Sequence, residues 1–153
     1  MKRREWLTAT GAIAFAAAGS AGANLLAAEA PKKAKPHSQA HGSACCNDCS
    51  ACAVECAACA GHCTAKLVEG ETSHAATAAL CNDCSDLCSI CAKIGARGGP
   101  LAALVCGACA QACDQCADAC EKFEDDEHTT ACAKRCRDCA DACREMTKQL
   151  EEA

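Results

Sequence analysis

From residue 45 to residue 150 the inward-type positions of this chain recur every three and four residues. In the first stretch they are cysteines. Leaving out Cys46, they are Cys45, Cys49, Cys52, Cys56, Cys59 and Cys63, at intervals of 4, 3, 4, 3 and 4. This is the seam of a helix that packs against partner helices, a seam normally carried by Leu, Ile and Val. The device recurs three times. The second seam is His74, Thr77, Cys81, Cys84, Cys88 and Cys91. The third is Ala102, Cys106, Cys109, Cys113, Cys116, Cys120 and Phe123. The fourth is His128, Cys132, Cys136, Cys139, Cys143, Met146 and Leu150. No stretch shows the two-residue alternation of a strand.

The punctuation between seams predicts the helix ends. Ser43 suits the N-cap of the first helix, which runs to about Val68 with Gly70 just past it. The second helix starts near Thr72 or Ser73 and stops before Gly95. Gly98-Gly99-Pro100 separates the halves, with Pro100 at the first position of the third helix. Asp125, Asp126 and Glu127 suit the positive N-terminus of the fourth. An internal repeat links the helices: C-N-D-C-S-D-L-C from Cys81, C-D-Q-C-A-D-A-C from Cys113 and C-R-D-C-A-D-A-C from Cys136. Short connections make neighbours antiparallel. The expected fold is all-α, an up-down-up-down four-helix bundle over residues 43–153, with a cysteine-lined core and only Cys46 off the seam.

Composition makes that core unusual. The chain has 153 residues and 20 cysteines, while Leu, Ile, Val and Phe together number 17. Thiols behave as small buried hydrophobes, so a Cys and Ala core closes, but with less apolar burial than a leucine core. Met1–Ala23 reads as a leader: Lys2-Arg3-Arg4-Glu5-Trp6-Leu7 resembles a twin-arginine export motif, and Ala21-Gly22-Ala23 fits a cleavage site, with Ala28-Glu29-Ala30 as a second. Export to the periplasm, or another extracytoplasmic space, follows from that motif. Removing residues 1–23 takes three basic groups and one acid from the net charge of −5 and leaves −7. With no basic patch and 2% aromatics, nucleic acid is not an expected partner. No segment of the mature chain is apolar enough to span a membrane. Residues 24–42, with Pro31, Pro36 and a lysine cluster, form a linker whose His37 and His41 are expected in solvent.

Cysteines three or four apart on a helix have Cβ atoms about 5–6 Å apart. Eight pairs have the C-x3-C form: 45/49, 52/56, 59/63, 84/88, 109/113, 116/120, 132/136 and 139/143. Thiolates select soft or borderline ions, namely Cu(I), Zn(II) or iron–sulfur clusters. Cu(I) accepts two or three sulfurs and suits an even column of shared thiolates, whereas Zn(II) asks for four at tetrahedral corners. One positive charge per thiolate also suits a dry core. Disulfide frameworks are loop-rich and irregular in spacing, unlike these seams. Cys46, Cys49, Cys52 and Cys56 match C-x2-C-x2-C-x3-C, but Ala57 stands where the ferredoxin pattern has proline. Thioredoxin-like redox chemistry needs an exposed thiol beside a sheet, and no strand pattern exists.

At the ends of the column, alternating helices bring His74, Phe123 and His128 together with Cys63 and Cys120, and bring Met146, Leu150, Leu101 and Ile94 together with Cys45. His74, His128 and Met146 are candidate metal ligands there, or plain caps of the core. His62 is expected in solvent, and Asp83, Asp118 and Asp141 form the wetted face. Gly61 and Gly107, costly inside helices, suggest close helix approach.

With its twin-arginine leader, four Cys-seamed helices and C-x3-C pairs, the chain resembles the bacterial copper storage proteins in their exported form, over about Ser43 to Leu150. The resemblance implies a non-enzymatic store that loads many Cu(I) ions on its cysteines, Cys46 counted with the rest. It also implies homo-oligomers, tetramers among them, and copper enzymes or chaperones that accept the metal. The alternatives are a zinc or soft-metal detoxification buffer and, from a different class, a redox or iron–sulfur electron-transfer protein.

Overall fold

The computed structural model describes residues 39–152, and the expected leader at 1–23 and the linker as far as residue 38, His37 included, lie outside the described residues. Four helices follow in order: α1 (Gln39–Val68), α2 (Ala75–Ala96), α3 (Ala102–Cys120) and α4 (Glu127–Glu151), with a single 3₁₀ turn at Thr72–His74 leading into α2. Each helix packs on two others, α1 on α2 and α4, and α3 on α2 and α4. The result is the expected antiparallel square.

Two starts differ from expectation. α1 begins at Gln39, so Ser43 lies inside the helix and not at its cap, and His41 falls in its first turn. No proline after Pro36 stops the helix there. Pro100 is not the first residue of α3. The Ala102 amide bonds to the Gly99 carbonyl at 2.9 Å, and Leu101 sits at φ −95° and ψ 4°. These are the marks of a type I turn with proline at its second position.

The helix ends follow from the glycines. Gly70 has φ +96° and Gly98 φ +58°. After α1, the Glu71 amide returns to the Lys66 carbonyl (2.9 Å) and Gly70 to Leu67 (3.1 Å). After α2, Gly99 returns to Ile94 (3.4 Å) and Gly98 to Gly95 (2.9 Å). Both are Schellman closures, in which glycine takes the left-handed position without a Cβ clash. Gly95, expected as a stop, instead lies buried in the last turn of α2, where a Cβ would stand 3.0 Å from Cys46 Sγ. A Cβ on Gly61 or Gly107 would meet nothing within 4 Å, so the expected close approach is not made among the described residues.

Between the cysteines the core is filled by alanines, including Ala53, Ala60, Ala78, Ala110, Ala117, Ala133 and Ala140. Small residues let the four backbones draw close enough for sulfurs from different helices to meet. The buried hydroxyls are satisfied: Thr77 donates to Ala119 O (3.3 Å), and Thr129 to Phe123 O (3.1 Å) and Asp126 O (3.0 Å). Outside, Arg137 of α4 reaches Asp114 and Asp118 of α3 and Glu121 just past its end. Arg144 pairs with Asp114 and Asp141. Such exposed pairs are each worth about 0–1 kcal/mol.

Candidate metal centre

All 20 cysteines carry free thiols, and 19 are buried. Cys46 is half-exposed against Gly95 of α2, off the seam as its spacing predicted. The buried sulfurs form one column along the bundle axis. At one end Cys45 lies 3.9 Å from Cys143, and Cys91 3.6 Å from Cys106. In the middle Cys52 contacts Cys136 (3.8 Å) and Cys113 (4.0 Å), and Cys88 contacts Cys113 and Cys109 (3.5 Å each). At the other end Cys81 meets Cys120 (3.8 Å), and Cys59 meets Cys120 (4.0 Å). Three of the C-x3-C pairs close at 4.0, 3.8 and 4.0 Å: 45/49, 52/56 and 84/88.

Sulfurs also gather in fours, all within 4.8 Å of one another. One quartet is Cys52, Cys56, Cys84 and Cys136, a second Cys52, Cys84, Cys88 and Cys113, and a third Cys56, Cys116, Cys132 and Cys136. The quartets overlap: Cys52, Cys56, Cys84 and Cys136 each serve two. They cannot all close as separate tetrahedral sites, because each sulfur belongs to the next site as well. With a metal–sulfur bond of about 2.3 Å, three sulfurs round one ion stand about 4.0 Å apart and two in line about 4.6 Å. The observed contacts match ions shared among two or three sulfurs after small adjustments.

Packing thiols this closely splits their acidities. Cys45 is held down to about 4 by hydrogen bonds from Cys106, Cys143 and Cys49, against the opposing effect of burial. Cys84 is held down to about 6, chiefly by its bond with Cys113, although Cys116 acts against it. Cys63, at the column's end, is pushed up to about 12 by burial and by the neighbouring Cys59 thiol. Cys136 and Cys143 are raised by hydrogen bonds with their cysteine neighbours. A sulfur that accepts S–H bonds can be a thiolate only while its neighbours remain thiols. Without added positive charge the column cannot ionise throughout.

At the open end, around the α1–α2 and α3–α4 turns, stand the expected His74 and Phe123, rings stacked at 4.0 Å. Phe123 lies past the end of α3 and is half-buried, not a seam residue of the helix itself. His128 is exposed and stacks on His62 at 4.4 Å. His62, expected in solvent, is instead half-buried and bonded to Asp126 Oδ2 at 2.6 Å. The antiparallel neighbours α1 and α4 place the last turns of one beside the first turn of the other, a juxtaposition the helix order already implied. At the opposite end Met146 is buried and Leu150 packs on the core, whereas Leu101 is 55% exposed and takes no part.

The comparisons with known proteins agree with this geometry. The model of a family described as copper storage protein matches residues 26–148. A crystal structure of a protein from Nitrosospira multiformis is 30% identical, with a TM-score of 0.63, over 72% of this chain and 98% of its own. The Cu(I)-bound copper storage protein BsCsp3 is 30% identical, with a TM-score of 0.59, over 70% of this chain and 98% of its own. No curated protein matches the sequence at comparable strength.

Proposed function

The chain belongs to the copper storage protein family, and we propose that the 19 buried thiols of the column are where its copper is held. It is a store of many Cu(I) ions in a four-helix bundle. The overlap of the sulfur quartets carries the proposal: each thiolate bridges neighbouring ions, and each ion takes two or three sulfurs, beginning with the C-x3-C pairs. Cys46, outside the column, is not needed for this. Accessory donors at the ends are Met146 at one, and His74 and His128 at the other. The protein performs no catalytic step; it takes up and releases metal by mass action, and copper enzymes or their chaperones draw on it. The twin-arginine motif at residues 2–7 supports export of the folded chain, loaded or empty, to the periplasm, and the family resemblance supports a homotetramer.

A zinc buffer is the rival reading, since four thiols within 4.8 Å also fit a tetrahedral ion. X-ray absorption at the copper edge of the loaded protein separates the two. The shared column predicts Cu(I) with two or three sulfur neighbours and further copper ions close by. Isolated four-sulfur sites without copper neighbours would reject it.

A further inference from the structure

The outer face of α2 carries a second seam, on the side away from its cysteines. Asp83, Asp86, Ile90, Lys93 and Arg97 recur at intervals of 3, 4, 3 and 4, and all five are exposed. Residues at this spacing line one face of a helix, so the five form a single stripe. Its order is two acids, an isoleucine and two bases. Ile90 is 47% exposed, and Leu101 and Leu104 stand exposed at the start of α3, which packs alongside.

The charges of this stripe are badly placed for a lone molecule. Asp83 and Asp86 are three residues apart, and Lys93 and Arg97 four apart. Like charges at these spacings repel and weaken a helix. The nearest opposite charges, Asp86 and Lys93, are seven residues apart, about 10 Å along the axis, and do not pair within α2. No other helix relieves them. Arg135, Arg137 and Arg144 of α4 all find acids elsewhere in the chain. Among the described residues, Asp83, Asp86, Lys93 and Arg97 have no ion pair.

From this pattern we infer that the outer face of α2 is a contact between two copies of this chain, packed antiparallel about a two-fold axis level with Ile90. Antiparallel packing reverses the order of the charges. Asp83 then stands level with the partner's Arg97, and Asp86 within one residue of the partner's Lys93. The two Ile90 side chains meet at the axis. The edges of the stripe agree with this. Asp83, Ile90 and Arg97 are seven apart and share one edge, while Asp86 and Lys93 share the other. A two-fold axis across a helix pair sets each edge against itself. The stripe is thus its own complement, which is what selects a second copy as the occupant. Exposed ion pairs add little affinity each. Burial of Ile90 and its leucine neighbours drives the association, and the charges fix its direction and register. The inference rests on the homo-oligomer reading above and names a face that makes the oligomer.

The test measures the mass of the reduced protein in solution by light scattering after size exclusion. Asp83→Lys with Asp86→Lys makes the stripe wholly basic, and Lys93→Asp with Arg97→Asp makes it wholly acidic. Each double variant should halve the parent's mass, with helix content and copper count unchanged. Mixed in equal amounts, the two should regain the parent's mass, because every basic position then meets an acid. Ile90→Asp, which sets two acids at the axis, should also halve it. An oligomeric parent whose mass none of these substitutions lowers would overturn the α2 contact and leave the homo-oligomer standing. So would folded double variants that separate but do not recombine on mixing. A monomeric parent would instead contradict the homo-oligomer itself, and the α2 contact with it.

Discussion

Asp126 divides its two carboxylate oxygens between two tasks. Oδ1 accepts the His128 and Thr129 amides at 2.9 and 3.3 Å and caps α4, while Oδ2 holds His62. Burial opposes ionisation of this carboxyl, but the His62 bond and the two amides outweigh it and hold its pKa below the usual aspartate value. A depressed folded pKa contributes stability above the unfolded value and loses it as pH falls through the folded one. Asp126→Ala should therefore cost about 1 kcal/mol at neutral pH. Denaturant melts should show the difference from the parent shrinking below about pH 4. That acids belong at this helix start was legible in the sequence, where Asp125, Asp126 and Glu127 suit the positive N-terminus; that Asp126 is the one that caps it was not. The bond to His62 was not, because it depends on which flank of α1 faces α4. Among the cysteines, Cys46→Ala should leave the copper count unchanged, whereas Cys136→Ala, which removes a sulfur shared by two quartets, should lower it by one or two ions. Metal analysis of the two purified variants side by side checks this.

Among the elements, the helices were legible and their ends less so. Intervals of three and four between cysteines fix which face turns inward, and that face is buried along all four helices. Gly70 was visible as a stop, whereas Gly98 was visible only as part of the Gly98-Gly99-Pro100 break, the stop itself having been expected before Gly95. The start of α1 was not visible, since Ser38 stands before Gln39 as Ser43 stands before the first cysteines, and the cysteine pattern that locates the helix begins only at Cys45; Pro100 serves a turn as readily as a first helical residue. Glycine makes the sharpest predictions at this scale. Gly61→Ala and Gly107→Ala fill open space on α1 and α3, so each should stabilise the bundle by about 0.5–1 kcal/mol. Gly95→Ala should destabilise it, since its Cβ would press on Cys46 Sγ. Thermal melts of the three variants, with opposite signs on one bundle, would show whether that contact governs the α1–α2 approach.

For the whole molecule, the core is a compromise between packing and capacity. Cysteine and alanine bury less apolar surface than leucine, so the empty bundle has little stability in reserve. Metal that binds only the folded column adds its binding free energy to folding. The Tm of the protein should therefore rise stepwise with each addition of Cu(I) under reducing conditions. Because Cys63 is pushed up to about 12 and its neighbours restrain one another, loading must expel protons. Uptake at fixed copper should strengthen as pH rises, and acid should release the metal; a pH-stat during loading would count the protons.

The most direct test is an anaerobic Cu(I) titration of the fully reduced protein against a competing chelator, with bound ions counted per chain. Shared thiolates on 19 buried cysteines predict tight binding of more than about ten ions. Saturation at about four, the number of closed four-sulfur sites that 19 thiols allow, together with tighter Zn(II) binding, would contradict the column.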